Sequence, residues 1–430
     1  MIQLRGGRLS RRDNIVVGLD IGTTKICAVV SEVKTGQSTT TCALNGGAGT
    51  VEIIGIGTSP SHGLKKGIVI NIDNTVESIK RAVEEAELMA GVEINAVYTG
   101  IAGSHIRGFN SRGVIPVNDG EIRKADIRRV IEAAKAVAIP LDREVLHVLP
   151  QAFVVDDHEG IKDPLGMSGI RLEAEVHIIT GAVASAQNIV KSVNRAGLEV
   201  LDLILQPLAS GEAVLTLEEK ELGVAVVDIG GGTTDVAIFL DGSIWHSAVL
   251  AIGGNHLTSD IAIGLRTPAQ EAERIKIRYG CAKTSMVRNE ETLEVPSVGG
   301  RPPRKLPRTL LTEIIEPRVE EIFTLVSREI RKAGYEEKIA AGVVLTGGTA
   351  MLEGIVDLAE EVLELPVRRG FPMNVTGLVD VVNSPAHATG VGLILHGIKE
   401  MGLHEPVHYK NGHLGAKVFG KMKGWIKELF

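Results

Sequence analysis

The stretch Asp-Ile-Gly followed by Thr-Thr occurs twice in this chain. The first copy, Val16–Lys25, reads VVGLDIGTTK, and the second, Val226–Asp235, reads VVDIGGGTTD. In each copy a β-branched run meets an Asp, a glycine turn, two hydroxyl residues and then a second apolar run (Ile26–Val30 and Val236–Leu240). Strand, turn and strand in that order predict a β-hairpin with an acid near its tip. Two copies, one opening each half of the chain, require two similar halves. The chemistry follows from the residue types. Glycines let backbone N–H groups close on an anion with no Cβ in the way. Thr hydroxyls add donors, and a carboxylate can hold Mg²⁺ through its waters. Two such hairpins face to face would grip the phosphates of one nucleotide: Gly22, Thr23, Thr24 and Lys25 from one side, Gly230, Gly231, Gly232, Thr233 and Thr234 from the other. Asp20 and Asp228 would hold the metal's waters.

A chain of 430 residues is too long for one ordinary core. With 44% apolar and 23% charged residues it is globular. A net charge of -7 argues against bulk nucleic-acid binding. Cys27, Cys42 and Cys281 lie far apart, with no zinc spacing or disulfide framework, as in a reducing cytosol. The segment 1–14 carries four arginines but no apolar stretch, so it does not read as a secretory signal. No apolar run reaches the length of a membrane span.

Between the hairpins, residues 35–50 read as a Thr/Gly-rich exposed loop, and Asn74 is expected to cap a helix over 75–90 that ends at Gly91. Short strands around one helix (124–138) suggest a small α+β insertion before 178. A third glycine element, GVVLTGGTA over 342–350, is a buried strand ending in Gly347-Gly348, where a backbone can approach a flat ligand closely. There is no Gly-x-x-x-x-Gly-Lys-Ser/Thr stretch.

The two hairpins and this third element, in this order, resemble the actin-like ATPase superfamily of actins, sugar kinases and heat-shock chaperone ATPases. The resemblance implies an adenosine pocket at Gly347, Gly348 and Thr349, with Glu273 and Lys276 near the adenine and ribose. Without the family, those last two read as an exposed i,i+3 ion pair. The resemblance also makes Gln206 and Asp228 the catalytic candidates, Gln206 lying near the attacking water. A neutral amide orients water but is no strong base, so slow or weak ATPase activity at most is expected. The small-residue stretch Ala386–Gly392 is similar to a second connecting helix, which must cross its partner closely.

The last fifteen residues, AKVFGKMKGWIKELF, are amphipathic. On a helical wheel Val418, Phe419, Met422, Trp425, Ile426, Leu429 and Phe430 share an arc of roughly 140°. Four lysines and one glutamate take the other side. A His-, Gly- and Pro-rich linker over 401–415 precedes them. An apolar face, a Lys-rich face and a Trp describe an interfacial anchor for an anionic membrane; the plain alternative is a tail docked on the protein's own core.

An actin-like site joined to such a tail resembles the FtsA family of bacterial division proteins, which tie FtsZ filaments to the membrane. The stretches SHGLKKGIVINID (61–73), LPQAFVVD (149–156), IKDPLGMSG (161–169) and VPSVGGRPPR (295–304) carry that resemblance, which covers nearly the whole chain. It implies an α/β, two-lobed actin-like fold with duplicated mixed sheets, an inserted α+β subdomain and a C-terminal amphipathic helix. The implied layout is subdomain 1A at 1–92 and 178–215, 1C at 93–177, 2A at 216–254 and 336–383, 2B at 255–335, a connecting helix at 384–400, a linker at 401–415 and the anchor at 416–430. Implied too are ATP and Mg²⁺, self-association into filaments, and later division partners through 1C. The FtsZ tail peptide would bind at Arg301, Arg304 and Arg318, where Lys305 and Arg308 add charge for an acidic partner. The location would be peripheral, on the cytoplasmic side of the inner membrane at the septum. A sugar or acid kinase on the same fold would have no use for the tail, and pilus-assembly adaptors that share the fold and insertion usually lack it.

Overall fold

The computed structural model describes residues 14–35, 42–44, 47–297, 299 and 301–403. Both predicted hairpins form. Ile15–Ile21 pairs antiparallel with Lys25–Thr35, setting Asp20 opposite Cys27. Val224–Ile229 pairs in the same way with Thr234–Leu240, setting Asp228 opposite Asp235.

Each hairpin is then extended by the same rule. The first gains antiparallel Gly47–Pro60 on one side, and parallel Ala96–Ile101 followed by parallel Glu199–Leu205 on the other. The second gains antiparallel Ser243–Leu250 on one side, and parallel Val343–Thr346 followed by parallel Val367–Arg369 on the other. Strand order and direction match, so the repeated motif marks a repeated mixed sheet. The central strands Val224–Ile229 and Thr234–Leu240 are buried along their whole length, as expected for strands covered on both faces.

The helices Gln206–Val214 and Ala388–Leu403 lie where the two halves meet. The core of the first half accordingly takes in Val226, Ala237, Phe239 and Val344 from the second sheet. The two helices cross so closely that a Cβ on Gly392 would stand 1.8 Å from the Ala209 carbonyl oxygen. Only glycine fits there, which accounts for the small-residue stretch. The other face of the second sheet packs on Gly254–Gly264, Ala269–Tyr279, Arg308–Ala333 and Ile355–Leu363 through Leu257, Ile275, Phe323 and Leu358.

The insertion is a four-stranded sheet in the order His158–Ile161, Arg143–Val155, Arg171–Ala182, Arg107–Pro116. The helix Lys124–Lys135 covers it over a separate core of Val130, Phe153, Leu172 and Val176. It also rests on the second half. Gln151 donates to the Ile244 carbonyl oxygen (3.1 Å), and His177 sits between Asn110 Oδ1 (2.6 Å) and Ser247 Oγ (2.9 Å). Burial, with His246 nearby, pushes the His177 pKa down to about 3, so the ring is neutral.

Three sequence expectations are corrected. The insertion was expected from 93, yet Ala96–Ile101 pairs with Ile15–Ile21 in the first sheet. Its membership is set by its partners in the sheet, Ile15–Ile21 and Glu199–Leu205, which a linear reading does not show. Asn71, not Asn74, caps the first helix, its side chain accepting from Asn74 N at 3.0 Å, so the helix begins at Ile72. Asparagines three apart compete for the cap, and the earlier one lengthens the helix by a turn. Within the expected loop over 35–50, Cys42–Leu44 pairs with the start of Gly47–Pro60. The expected linker and membrane anchor beyond 403 lie outside the described residues.

Candidate functional site

The tips of the two hairpins meet. The first turn closes through Gly22 N to Lys25 O (3.0 Å), the second through Gly230 N to Thr233 O (3.0 Å). A Cβ on Gly231 would fall 1.8 Å from Thr24 Oγ1, and one on Gly232 would fall 2.7 Å from Thr23 Oγ1. The extra glycines of the second motif therefore let the tips pass one another.

Beside them lies a cleft of ≈ 280 Å³ lined by both turns, by Asp20 and Asp228, and by Gln206, Glu273, Lys276, Gly347, Gly348 and Thr349. The structure thus brings the predicted residues together, with one exception. Thr234 is fully buried and donates to the Ile252 carbonyl oxygen at 2.8 Å, so it pins a neighbouring loop and does not face the cleft. Strand alternation explains this, since Thr233 and Thr234 must point to opposite sides.

Three carboxylates form the floor. Asp20 accepts from Gln206 Nε2 at 2.9 Å. Asp228 accepts from Ser210 Oγ at 2.7 Å and from Thr389 Oγ1 at 3.3 Å. Asp235, which the sequence reading passed over, accepts from Thr233 Oγ1 at 3.1 Å on one oxygen, while its Oδ1 is buried with no partner among the described residues. Burial pushes the Asp20 pKa up to about 7, with Asp228 adding to the rise against the pull of Lys25. Burial raises Asp228 despite its two hydroxyl donors. It holds Asp235 well above the usual carboxylate range, helped by Asp228 and Asp20. Buried acids that repel one another, one of them with an unpaired oxygen, are what a cation would relieve.

The cations of the site are already tethered. Lys25 Nζ donates to the Ala386 carbonyl oxygen (2.9 Å) and to His387 Nδ1 (3.2 Å). Burial first and the Lys25 charge second lower the His387 pKa to about 4, so the ring accepts. Lys276 donates to the Gly254 carbonyl oxygen (3.0 Å) and Thr258 Oγ1 (2.9 Å), and pairs with Glu273 at 2.7 Å. Glu273 and Lys276 form the i,i+3 ion pair, half-buried and not on an exposed face, and both line the cleft. Gly347 has φ 86°, and a Cβ there would meet Asp228 Oδ1 at 2.4 Å. Gly348 differs, since a Cβ there would find its nearest neighbour, Ala386 Cβ, 4.0 Å away.

Asp235, His387, Asn255, Ser210 and Thr389 were missed. Asp235 had a legible signal, because it ends the second motif where Lys25 ends the first. Ser210, His387 and Thr389 sit in or beside the two connecting helices, whose small-residue pattern does not mark individual polar side chains, and Asn255 carries no motif.

The raised acid gives a pH test. A carboxylate whose folded pKa lies above its unfolded value contributes stability below about pH 4, and that contribution is lost as the pH rises through about 7. In metal-free buffer Asp20→Asn should therefore gain stability over the parent progressively from pH 4 to 8, on the order of 2–4 kcal/mol at the top of the range. Asn keeps an acceptor for Gln206. A denaturant midpoint difference that does not change with pH would refute a buried, titrating Asp20.

The basic cluster lies apart from the cleft, and two of its members are paired with acids. Arg318 pairs with Asp260 at 2.6 Å and with Glu321. Arg308 bridges Glu291 and Glu353, and Arg304 donates to the Leu265 carbonyl oxygen. Arg301 and Lys305 are exposed. No helix among the described residues is long and apolar enough to cross a membrane.

Residues 225–392 match the family model described as Cell division protein FtsA, and residues 103–180 match the model of the SHS2 domain inserted in FTSA. The chain is 52% identical over 421 residues to the Cell division protein FtsA of Pseudomonas aeruginosa, covering 97% of this chain and 98% of that protein. In fold it is similar to a solved PilM-PilN type IV pilus biogenesis complex (TM-score 0.62, 18% identity, 89% of this chain and 98% of that one). It is likewise similar to MreB5 of Spiroplasma citri, solved bound to ADP (TM-score 0.53, 13% identity, 91% and 99%). With the duplicated sheets, the inserted domain and identity over nearly the full length, the chain belongs to the FtsA family of cell division proteins and has an actin-like fold with an SHS2 insertion.

Proposed function

We propose that this chain binds one Mg·ATP in the cleft between its hairpins and polymerises at the membrane as the tether of FtsZ filaments. The observation that carries the reading is the convergence of Gly22–Lys25, Gly230–Thr233 and Gly347–Thr349 on one cleft floored by buried acids. The turn amides and Thr23, Thr24 and Thr233 would receive phosphate oxygens, and Gly348 leaves room for the nucleoside. Among the described residues no three acidic, His or Cys groups converge closely enough to ligate an ion directly, so Asp20, Asp228 and Asp235 would act through water. Bound Mg²⁺ would neutralise charge on the β- and γ-phosphates. Gln206, held by Asp20, would orient a water without deprotonating it strongly, so turnover would be slow.

The membrane, self-association and FtsZ parts rest on the tail sequence and on the family. The protein would act peripherally on the cytoplasmic face of the inner membrane at the septum, later division proteins would be met through the insertion, and nucleic acid is no partner. Sedimentation of FtsZ with anionic liposomes tests the whole. FtsZ should pellet only with this protein present, more with Mg·ATP, and not when residues 416–430 are removed. FtsZ that pellets equally without those residues refutes the tether.

The ion pairs sharpen the FtsZ expectation. Arg301→Glu reverses an exposed charge and should weaken binding of the FtsZ tail peptide about tenfold, with the unfolding midpoint unchanged. Arg318→Glu sets a third carboxylate against Asp260 and Glu321, and should destabilise the fold as well. Unchanged peptide affinity in Arg301→Glu would move the surface elsewhere.

A further inference from the structure

The strand Glu199–Leu205 is an edge of the first sheet, so its outward amides need partners other than a neighbouring strand. Side chains supply them. Leu203 N donates to Asp202 Oδ1 (2.8 Å), and Leu205 N donates to His147 Nε2 (3.0 Å). His147 belongs to Arg143–Val155, a strand of the insertion.

Leu205 is also the N-cap of the helix Gln206–Val214, and no side chain caps that helix end from within. This helix reaches both acids of the two motifs. Gln206, its first residue, donates to Asp20, and Ser210, one turn on, donates to Asp228. One imidazole of the insertion therefore holds the backbone at the start of the helix whose first and fifth residues donate to the two carboxylates. For Nε2 to accept, the ring must be neutral with its proton on Nδ1. Burial, opposed by Asp202 and aided by His396, lowers the His147 pKa to about 4, so that form prevails at neutral pH.

We propose that His147 is a positioning residue for metal-dependent nucleotide binding, through which the placement of the insertion is felt at Gln206 and the carboxylate floor. The inference rests on the nucleotide reading given above. It extends that reading to a residue with no contact to the cleft, which lies in the domain that the family model marks as an insert. A group docking on the insertion and moving this strand would change the hold on Leu205, and with it the hold on Asp20.

The test uses the full chain and two substitutions. His147→Leu keeps bulk and removes the acceptor; His147→Gln keeps bulk and restores an acceptor oxygen. ATP affinity is measured with Mg²⁺ and with EDTA, and amide exchange is followed over residues 203–210. His147→Leu should lose about three- to tenfold in Mg·ATP affinity, the equivalent of one hydrogen bond, with affinity in EDTA unchanged. Exchange over 203–210 should quicken, and His147→Gln should recover both. A His147→Leu protein that matches the parent in exchange and in Mg·ATP affinity overturns the proposal. Equal losses with and without metal also overturn it, because they mark a merely structural role. A parent that shows no Mg²⁺-dependent ATP binding overturns the nucleotide reading itself, and the proposal with it.

Discussion

Gly348→Asp should lose at least about a hundredfold in Mg·ATP affinity while folding as the parent does. The two halves of that expectation come from different observations. A Cβ at Gly348 meets no atom closer than Ala386 Cβ at 4.0 Å, and the residue is not in the left-handed region, so a side chain is accommodated. That side chain must then occupy the cleft, between Gly347 and Thr349, where the nucleoside would lie. It also brings a fourth carboxylate near Asp20, Asp228 and Asp235, whose charges already repel one another. Steric exclusion and repulsion of phosphate act together, and a hundredfold corresponds to about 2.7 kcal/mol. Gly347→Ala is the contrast: φ 86° and a 2.4 Å approach to Asp228 make even a methyl group costly to the fold. Thermal unfolding with and without Mg·ATP separates the two. The Gly348 variant should unfold at the parent's temperature and show no upward shift with ligand. The Gly347 variant should unfold earlier in both conditions. A Gly348→Asp protein still stabilised by Mg·ATP as the parent is would refute the cleft assignment.

The difference between these neighbouring glycines was not legible in the sequence, where both belong to one Gly-Gly pair. The repeated motif was legible because it is local: strand, turn and hydroxyl residues are contiguous, and each copy predicts the other. The same locality brings Thr23, Thr24, Gly231 and Gly232 together, because both hairpins end in the same short turn. Partners far along the chain stayed hidden even where the residues they hold were named. Lys25 is held by Ala386 and His387, over 360 residues away, and Asp228 by Thr389. Thr234 was misjudged for a related reason. The motif names both threonines, but strand alternation sends one to the cleft and the other to Ile252. Charge runs show only part of the surface: Arg301 and Lys305 are exposed, whereas Arg308 and Arg318 are bound by Glu291, Glu353 and Asp260. Ion pairing across elements is invisible to a linear count of charges.

The second large effect concerns the tail, whose residues lie outside those described, so its argument stands on sequence and energetics. Trp425→Glu should release the protein from anionic liposomes while leaving nucleotide binding intact. Burying Phe419, Trp425, Ile426 and Leu429 in the interface yields about 1.5–3 kcal/mol each in the ideal limit. Ordering a dozen backbone residues into a helix opposes this with roughly 1 kcal/mol or more per residue. The two nearly cancel, so the four lysines decide the sign, with about 1 kcal/mol each near anionic lipid and less at high salt. A margin this small has two consequences. One carboxylate in place of the largest apolar side chain is enough to reverse it, since the variant loses the Trp burial and one unit of favourable charge together. A single tail also holds only weakly, so many tails on one filament should bind far more tightly than one, without any new contact. Membrane residence would then follow polymerisation, and through it the occupancy of the cleft floored by Asp20, Asp228 and Asp235. Liposome sedimentation across protein concentration and salt reads all of this. The parent should bind cooperatively, more so with Mg·ATP, and weaken as salt rises, while Trp425→Glu stays in the supernatant. If that variant pellets as the parent does, the anchor lies elsewhere and the coupling of nucleotide to membrane has lost its physical basis.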